Sequence, residues 1–179
     1  MTRRVAFLRA INVGGHNVKM DALRKLFESL GYTDVQTFIA SGNVIFETDA
    51  KNAHILETQI EKKLKASLGY NVSTFIRTGP ELSAILKHKP FSVRQLDSAR
   101  ALNVAFIAEP LGDAANDKLM ARKTDIDDFH VNGREIYWLC GRKQSESTFS
   151  NVVLEKTIGK PSTLRGLNTV RQLADKYFV

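Results

Sequence analysis

One pattern of residues occurs twice in this chain, and that constrains the fold more than any other feature. Val5-Ala6-Phe7 reappears as Val104-Ala105-Phe106, 99 residues later. Thr33-Asp34-Val35 is echoed by Thr124-Asp125-Ile126 at an offset of 91. At that second offset Phe38 meets Phe129, Gly42 meets Gly133, Ile45 meets Ile136 and Phe46 meets Tyr137. Self-similarity of this kind marks a repeated supersecondary unit. The change of offset implies that the second copy lost eight residues between its first strand and its hairpin.

In the front copy the hydrophobic period alternates in an informative order. Arg4 to Leu8 is a short apolar run of strand formers. Leu23, Leu26, Phe27 and Leu30 recur at helical spacing, and Gly31 supplies a left-handed stop. Val35 to Ala40 and Asn43 to Thr48 read as two strands joined at Ser41-Gly42. A second helical stripe follows (Leu56, Ile60, Leu64, Leu68), closed by Gly69, and Val72 to Arg77 reads as the last strand. The order β-α-β-β-α-β is the ferredoxin-like unit. A further helix opens at Thr78, with Glu81 placed to complete a capping box. Lys87 to Arg100, which contains Pro90, reads as an irregular basic connection.

The back copy follows the same plan in fewer residues. Leu102 to Ala108 is its first strand and Asp113 to Ala121 a short helix. Asp125 to Val131 and Arg134 to Cys140 pair through Asn132-Gly133, a strong hairpin signal. Thr148 to Ile158 is the next helix, the final strand shrinks to Ser162 to Arg165, and Leu167 to Tyr177 carry a terminal amphipathic stripe. The expected class is therefore α+β: a tandem duplication of ferredoxin-like units with antiparallel sheets and extra helices. The first unit, with its linking helix and basic connection, is expected at 1–98, and the second at 99–179.

Composition narrows the class of function. Hydrophobic residues at 43% and charged residues at 25% are those of an ordinary folded protein and exclude a disordered or collagen-like chain. The single cysteine, Cys140, cannot form an internal disulfide, so a reducing, cytoplasmic setting is expected. No apolar run approaches the roughly 18 residues of a membrane span, so no membrane partner is expected. Met1 to Gly15 is interrupted by Arg9 and Asn12, too polar for a secretory signal. The net charge of +7 raises encounter rates with polyanions and makes nucleic acid the alternative partner.

Topology says which residues meet. The end of the first strand, the start of the first helix and the tip of the hairpin share one sheet edge. That edge collects Arg9, Asn12, Gly14, Gly15, His16, Asn17 and Lys19 from one loop, and Ser41, Gly42 and Asn43 from the other. Glycines let backbone N–H groups approach a ligand, a helix N-terminus favours negative charge, and Arg9 and Lys19 add charged donors. The expected ligand is a small anion: phosphate, carboxylate or nucleotide. Turn chemistry alone is the competing reading, since neither a Walker pattern nor a dinucleotide fingerprint is present.

Other constellations point away from catalysis. The four histidines are scattered without metal spacing, so no metal or cofactor is expected. Asp125 and Asp127 alternate with Asp128 and His130 along one strand, the mark of a charged edge rather than a metal site. Cys140 reads as a small buried apolar residue. An RNA-binding sheet platform is disfavoured because the opening strands are apolar on both faces. Lys87, Lys89, Arg94 and Arg100 are open to two readings, a basic groove or a solvated linker. No nucleophile or acid–base pair can be nominated, so whether the protein is an enzyme stays open.

Phe7-Leu8-Arg9-Ala10-Ile11-Asn12-Val13-Gly14-Gly15 resembles the opening signature of bacterial proteins grouped as domain of unknown function 1697. Ser41-Gly42-Asn43-Val44-Ile45-Phe46 resembles that family's second signature, and Arg165 to Val170 its third. Ala10 stands where the family usually has glycine, and Gly166-Leu167 where asparagine and tryptophan are usual. The resemblance implies ferredoxin-like units and carries no activity with it. Its third signature adds Arg165, Asn168 and Thr169 as further candidate ligand-binding residues.

Overall fold

Each copy folds around a strand that is paired on both sides. The computed structural model describes every residue except Val13, Ala40 and Ser41. In the first unit the elements run β1 (Thr2–Leu8), α1 (Met20–Glu28), β2 (Thr33–Thr37), β3 (Asn43–Thr48), α2 (Ala53–Leu68) and β4 (Thr74–Thr78). After α3 (Gly79–Lys87) and α4 (Val93–Ser98) the second unit repeats the order. It consists of β5 (Ala101–Phe106), α5 (Asp113–Met120), β6 (Asp127–Asn132), β7 (Glu135–Cys140), α6 (Asn151–Ile158) and β8 (Thr163–Gly166), and α7 (Leu167–Tyr177) ends the chain. The sheet orders are β2-β3-β1-β4 and β6-β7-β5-β8, with every neighbouring pair antiparallel. The α+β class and the two similar units are thus observed. Two compact bodies divide the chain: Met1–Ser83 with Leu173–Val179, and Ala84–Gln172.

Apolar alternation builds each core. Ala6, Leu8, Val44, Phe46 and Ile76 project from one face of the first sheet and pack with Leu23 and Phe27 of α1 and Leu56, Ile60 and Leu64 of α2. Each of these large side chains contributes about 1.5–3 kcal/mol on leaving water. Val5, Phe7, Ile45 and Phe75, on the other face, are buried too, as the two-sided apolar run in β1 predicts. In the second unit Ala105, Ile136, Trp138 and Cys140 play the part of the helix-side face, packed with Leu119, Leu154 and Ile158.

Strand register corrects the repeat. Val5 pairs with Ile45, whereas Val104 pairs with Tyr137. The equivalent residues are therefore Val44 and Ile136, Ile45 and Tyr137, Phe46 and Trp138, one place beyond the alignment at offset 91. A slip of one residue exchanges the faces of a strand. Only the corrected register puts Phe46 and Trp138 both in the cores. It also brings out a repeated pair invisible in the local sequence. Arg77 lies opposite Val5 and Arg165 opposite Val104, both arginines are buried, and each Nη1 donates to the preceding carbonyl at 2.8 Å.

Other boundaries shift for local reasons. β2 ends at Thr37, short of the expected Ala40, because Ile39 takes a left-handed φ of 57° that no strand can continue. The connection after Lys87 is not wholly irregular. Ser92 and Gln95 form a reciprocal capping box that starts α4. The reduced last strand of the second copy does form, pairing Thr163–Gly166 with β5. The hairpin turn is Gly133-Arg134 rather than Asn132-Gly133, with Gly133 at φ 59°.

β6 is an edge strand, but its first aspartate is not a solvent charge. Asp127 is 2% exposed and accepts from Trp138 Nε1 and Ser147 Oγ, each at 2.8 Å. Removing a charged acceptor from buried donors costs their full desolvation. Asp127→Ala should therefore destabilise the protein by about 3 kcal/mol in urea unfolding followed by Trp138 fluorescence, against less than about 0.5 kcal/mol for exposed Asp125→Ala.

Candidate functional site at the loop edge of the first unit

β1 and the hairpin meet where the topology predicts. Leu8 N–H donates to the Gly42 carbonyl at 2.8 Å, and Arg9 N–H to the Ser73 carbonyl at 2.9 Å. The approach is close enough that a Cβ on Gly42 would lie 2.9 Å from Ile11 Cγ2 and 3.1 Å from Leu8 Cβ. Gly42 also has a φ of 80°, so packing and backbone both require glycine there.

Beyond Arg9 the chain is pinned at three points. Ile11 is buried and its carbonyl accepts from Tyr70 Oη at 3.0 Å. Asn12 Oδ1 accepts from Val18 N–H at 2.7 Å, closing the loop across residues 12–18. The His16 ring stacks on Tyr70, with centroids 3.8 Å apart. Between the pins Gly14 and Gly15 are exposed, at φ 67° and 86°, with open space around any added Cβ. Lys19, also exposed, occupies the N-cap of α1, and no side chain caps that helix end. Unsatisfied N–H groups at a helix start attract negative charge. Asp21, in the first turn, is drawn toward Arg24 at 3.3 Å.

The sequence-derived candidates separate into two groups. Gly14, Gly15 and Lys19 are exposed, and Arg9 is half-buried. Asn12 and Asn43 serve the scaffold instead. Asn43 is fully buried, and its Nδ2 donates to the Phe38 carbonyl at 2.8 Å, inside the hairpin. Gly42 is buried as well, and Ser41 lies outside the described residues. Arg165 is 8% exposed and donates to Thr163 Oγ1 at 2.8 Å; burial lowers its guanidinium to about 10, still cationic at neutral pH. Its role is internal to the second sheet, while Asn168 is exposed and Thr169 half-buried at the start of α7. Tyr70 went unrecognised in the sequence, where its only mark is its place just after the Gly69 cap of α2.

Two residues at this edge hold unfavourable backbone conformations. Ala10 has φ 51° and Ile39 φ 57°. For a β-branched residue that is an outlier, and Ile39 is also 51% exposed. Such strain costs about 1–2 kcal/mol per residue and gathers at functional sites. Among the described residues no group of three or more His, Cys, Asp or Glu side chains could hold a metal ion, and no helix is long and apolar enough to cross a membrane. Cys140 is buried, and that burial raises its thiol above the usual range.

The model of the family described as Protein of unknown function (DUF1697) matches residues 1–137. The chain belongs to this family. The DUF1697 match takes in both signatures at the loop edge and ends before Arg165. A solved structure, that of the conserved bacterial protein SP0830 from Streptococcus pneumoniae, is similar over 97% of each chain with a TM-score of 0.77 and 22% identity. At that identity the likeness concerns the fold. No curated protein matches.

Two substitutions test the backbone account. Ile39→Asn should raise stability by roughly 1 kcal/mol in chemical denaturation, because asparagine tolerates the left-handed region. Gly42→Ala should lower it by roughly 2–4 kcal/mol through combined strain and overpacking.

Proposed function

We propose that this protein binds a small anionic ligand, a phosphate or a nucleotide-like molecule, at the loop edge of the first unit. The observation that carries this reading is the strain there: Ala10, in the loop that leads to the exposed Gly14-Gly15 turn and the uncapped start of α1, and Ile39, in the hairpin loop, both hold left-handed conformations. In this reading the amides of Gly14 and Gly15 and the first turn of α1 face the anion, and Lys19 and Arg9 supply positive charge. Asn12, Asn43, Gly42 and Tyr70 hold the two loops in place around it. Cys140, buried and unpaired with any other cysteine, fits a reducing compartment, and we assign the protein to the cytoplasm.

The net charge of +7 favours a second reading, association with nucleic acid. It predicts affinity that falls steeply with added salt, since released counterions drive such binding.

Thermal unfolding with inorganic phosphate and with AMP tests the first reading. A ligand at a hundredfold excess over its Kd adds about 2.7 kcal/mol, which for a chain of this size raises Tm by roughly 5–10 °C. Lys19→Gln should weaken that shift without changing the Tm of the free protein by more than a degree or so. Absence of a shift with both compounds would contradict the reading, as would an unchanged shift in Lys19→Gln.

A further inference from the structure

The second unit contains a cavity of about 540 Å³, lined wholly by residues between Leu86 and Arg171. Its volume lies within the range of small-molecule sites. The floor comes from the sheet. Val104 pairs with Tyr137, so Leu102 and Tyr137 share the face turned away from Ala105, Ile136 and Trp138. Tyr137 is buried there, and its hydroxyl donates to the Ile85 carbonyl at 3.0 Å, so the phenol presents mainly its ring. Phe91, Leu96 and Leu167 add apolar wall. Val93 and Leu96, at 74% and 36% exposure, belong to the same lining and leave apolar surface open to water.

The charge of the lining is of one sign. Lys89, Arg100 and Arg171 all line the cavity and all are exposed, and no aspartate or glutamate lines it. None of the three cations forms an ion pair with a described residue. His88, also in the lining, lies 5.3 Å from the Tyr137 ring and keeps a buried Nε2 without a hydrogen-bond partner among the described residues. An apolar floor with unpaired guanidinium groups fits a molecule with an apolar body and an acid head, because arginine's planar fork matches a carboxylate.

We infer that this cavity is a second binding site, independent of the loop edge of the first unit, and that it takes an apolar carboxylic acid. The body of the ligand lies on Leu102 and Tyr137, and its carboxylate meets Arg100 or Arg171. Lys89 adds positive charge without the bidentate geometry.

Calorimetric titration of the full chain with naphthalene-2-carboxylate, decanoate and the uncharged naphthalene-2-carboxamide tests this. At least one acid is expected to bind one to one with a negative heat-capacity change, the mark of apolar burial. The amide of the aromatic acid should bind at least tenfold more weakly than the acid, the scale of a lost charged hydrogen bond. Arg100→Gln and Arg171→Gln, both at exposed positions, should together weaken acid binding about tenfold or more and leave amide binding unchanged. Leu96→Glu should weaken both, whereas Lys19→Gln, in the other unit, should alter neither. Failure of both acids to bind at millimolar concentration would overturn the inference, as would binding that ignores the arginine substitutions. Single-stranded RNA that binds where the acids do not, and is lost with the same arginines, would overturn it in favour of a polynucleotide surface.

Discussion

The pairing of β1 on both its edges governs the first unit. Running antiparallel to β3 and to β4, this strand sends its C-terminal end to the edge where the hairpin turns. The last rung, Leu8 N–H to the Gly42 carbonyl, fixes the distance between the hairpin and the loop that follows β1. It is a short hydrogen bond in a setting where Val5 to Leu8 are fully buried, so water cannot replace it. Gly42 is held to glycine by that contact, and Asn43 is committed to the turn rather than to solvent. The remaining loop, from Ala10 to Lys19, is then tied down by Asn12 and Tyr70 and left with a short exposed glycine turn. The site is what remains after the scaffold has taken its share of the polar groups.

The same device is used twice. β5 lies between β7 and β8 as β1 lies between β3 and β4, and a buried arginine stands opposite the central valine in each. A buried guanidinium is tolerated only when its donors are satisfied. Arg77 and Arg165 meet part of that demand in the same way, each donating to the carbonyl before it. The copies differ where function is proposed. The second hairpin closes through two residues, Gly133 and Arg134, while the first has strained Ile39 after the end of β2.

Much of the fold was legible because it rests on periodicity that local sequence carries. The strands of both units, the long α2 with its Gly69 cap, and the Thr78–Glu81 box follow from spacing and capping chemistry alone. The repeat was legible too, but its register was not. Matching glycines and aromatics tolerates a slip of one residue that strand pairing does not. α4 escaped notice because six residues carry too little period, although Ser92 and Gln95 signal its start. At the loop edge, proximity was legible from topology. The division of labour was not, because whether an asparagine faces a ligand or a carbonyl is decided by burial, as at Asn43. The cavity of the second unit joins segments from Leu86 to Arg171 and leaves no mark in any single stretch, beyond two of the basic residues noted in the connection, Lys89 and Arg100.

The central claim is that pairing of β1 creates an anion-binding edge. Its most direct test is a titration of the uniformly ¹⁵N-labelled protein with inorganic phosphate, following every backbone amide by NMR. The account predicts saturable shifts centred on Gly14, Gly15 and the first turn of α1, with the amides of β5 to β8 undisturbed. Shifts that never saturate, or that spread over the basic surface without favouring those amides, would contradict it.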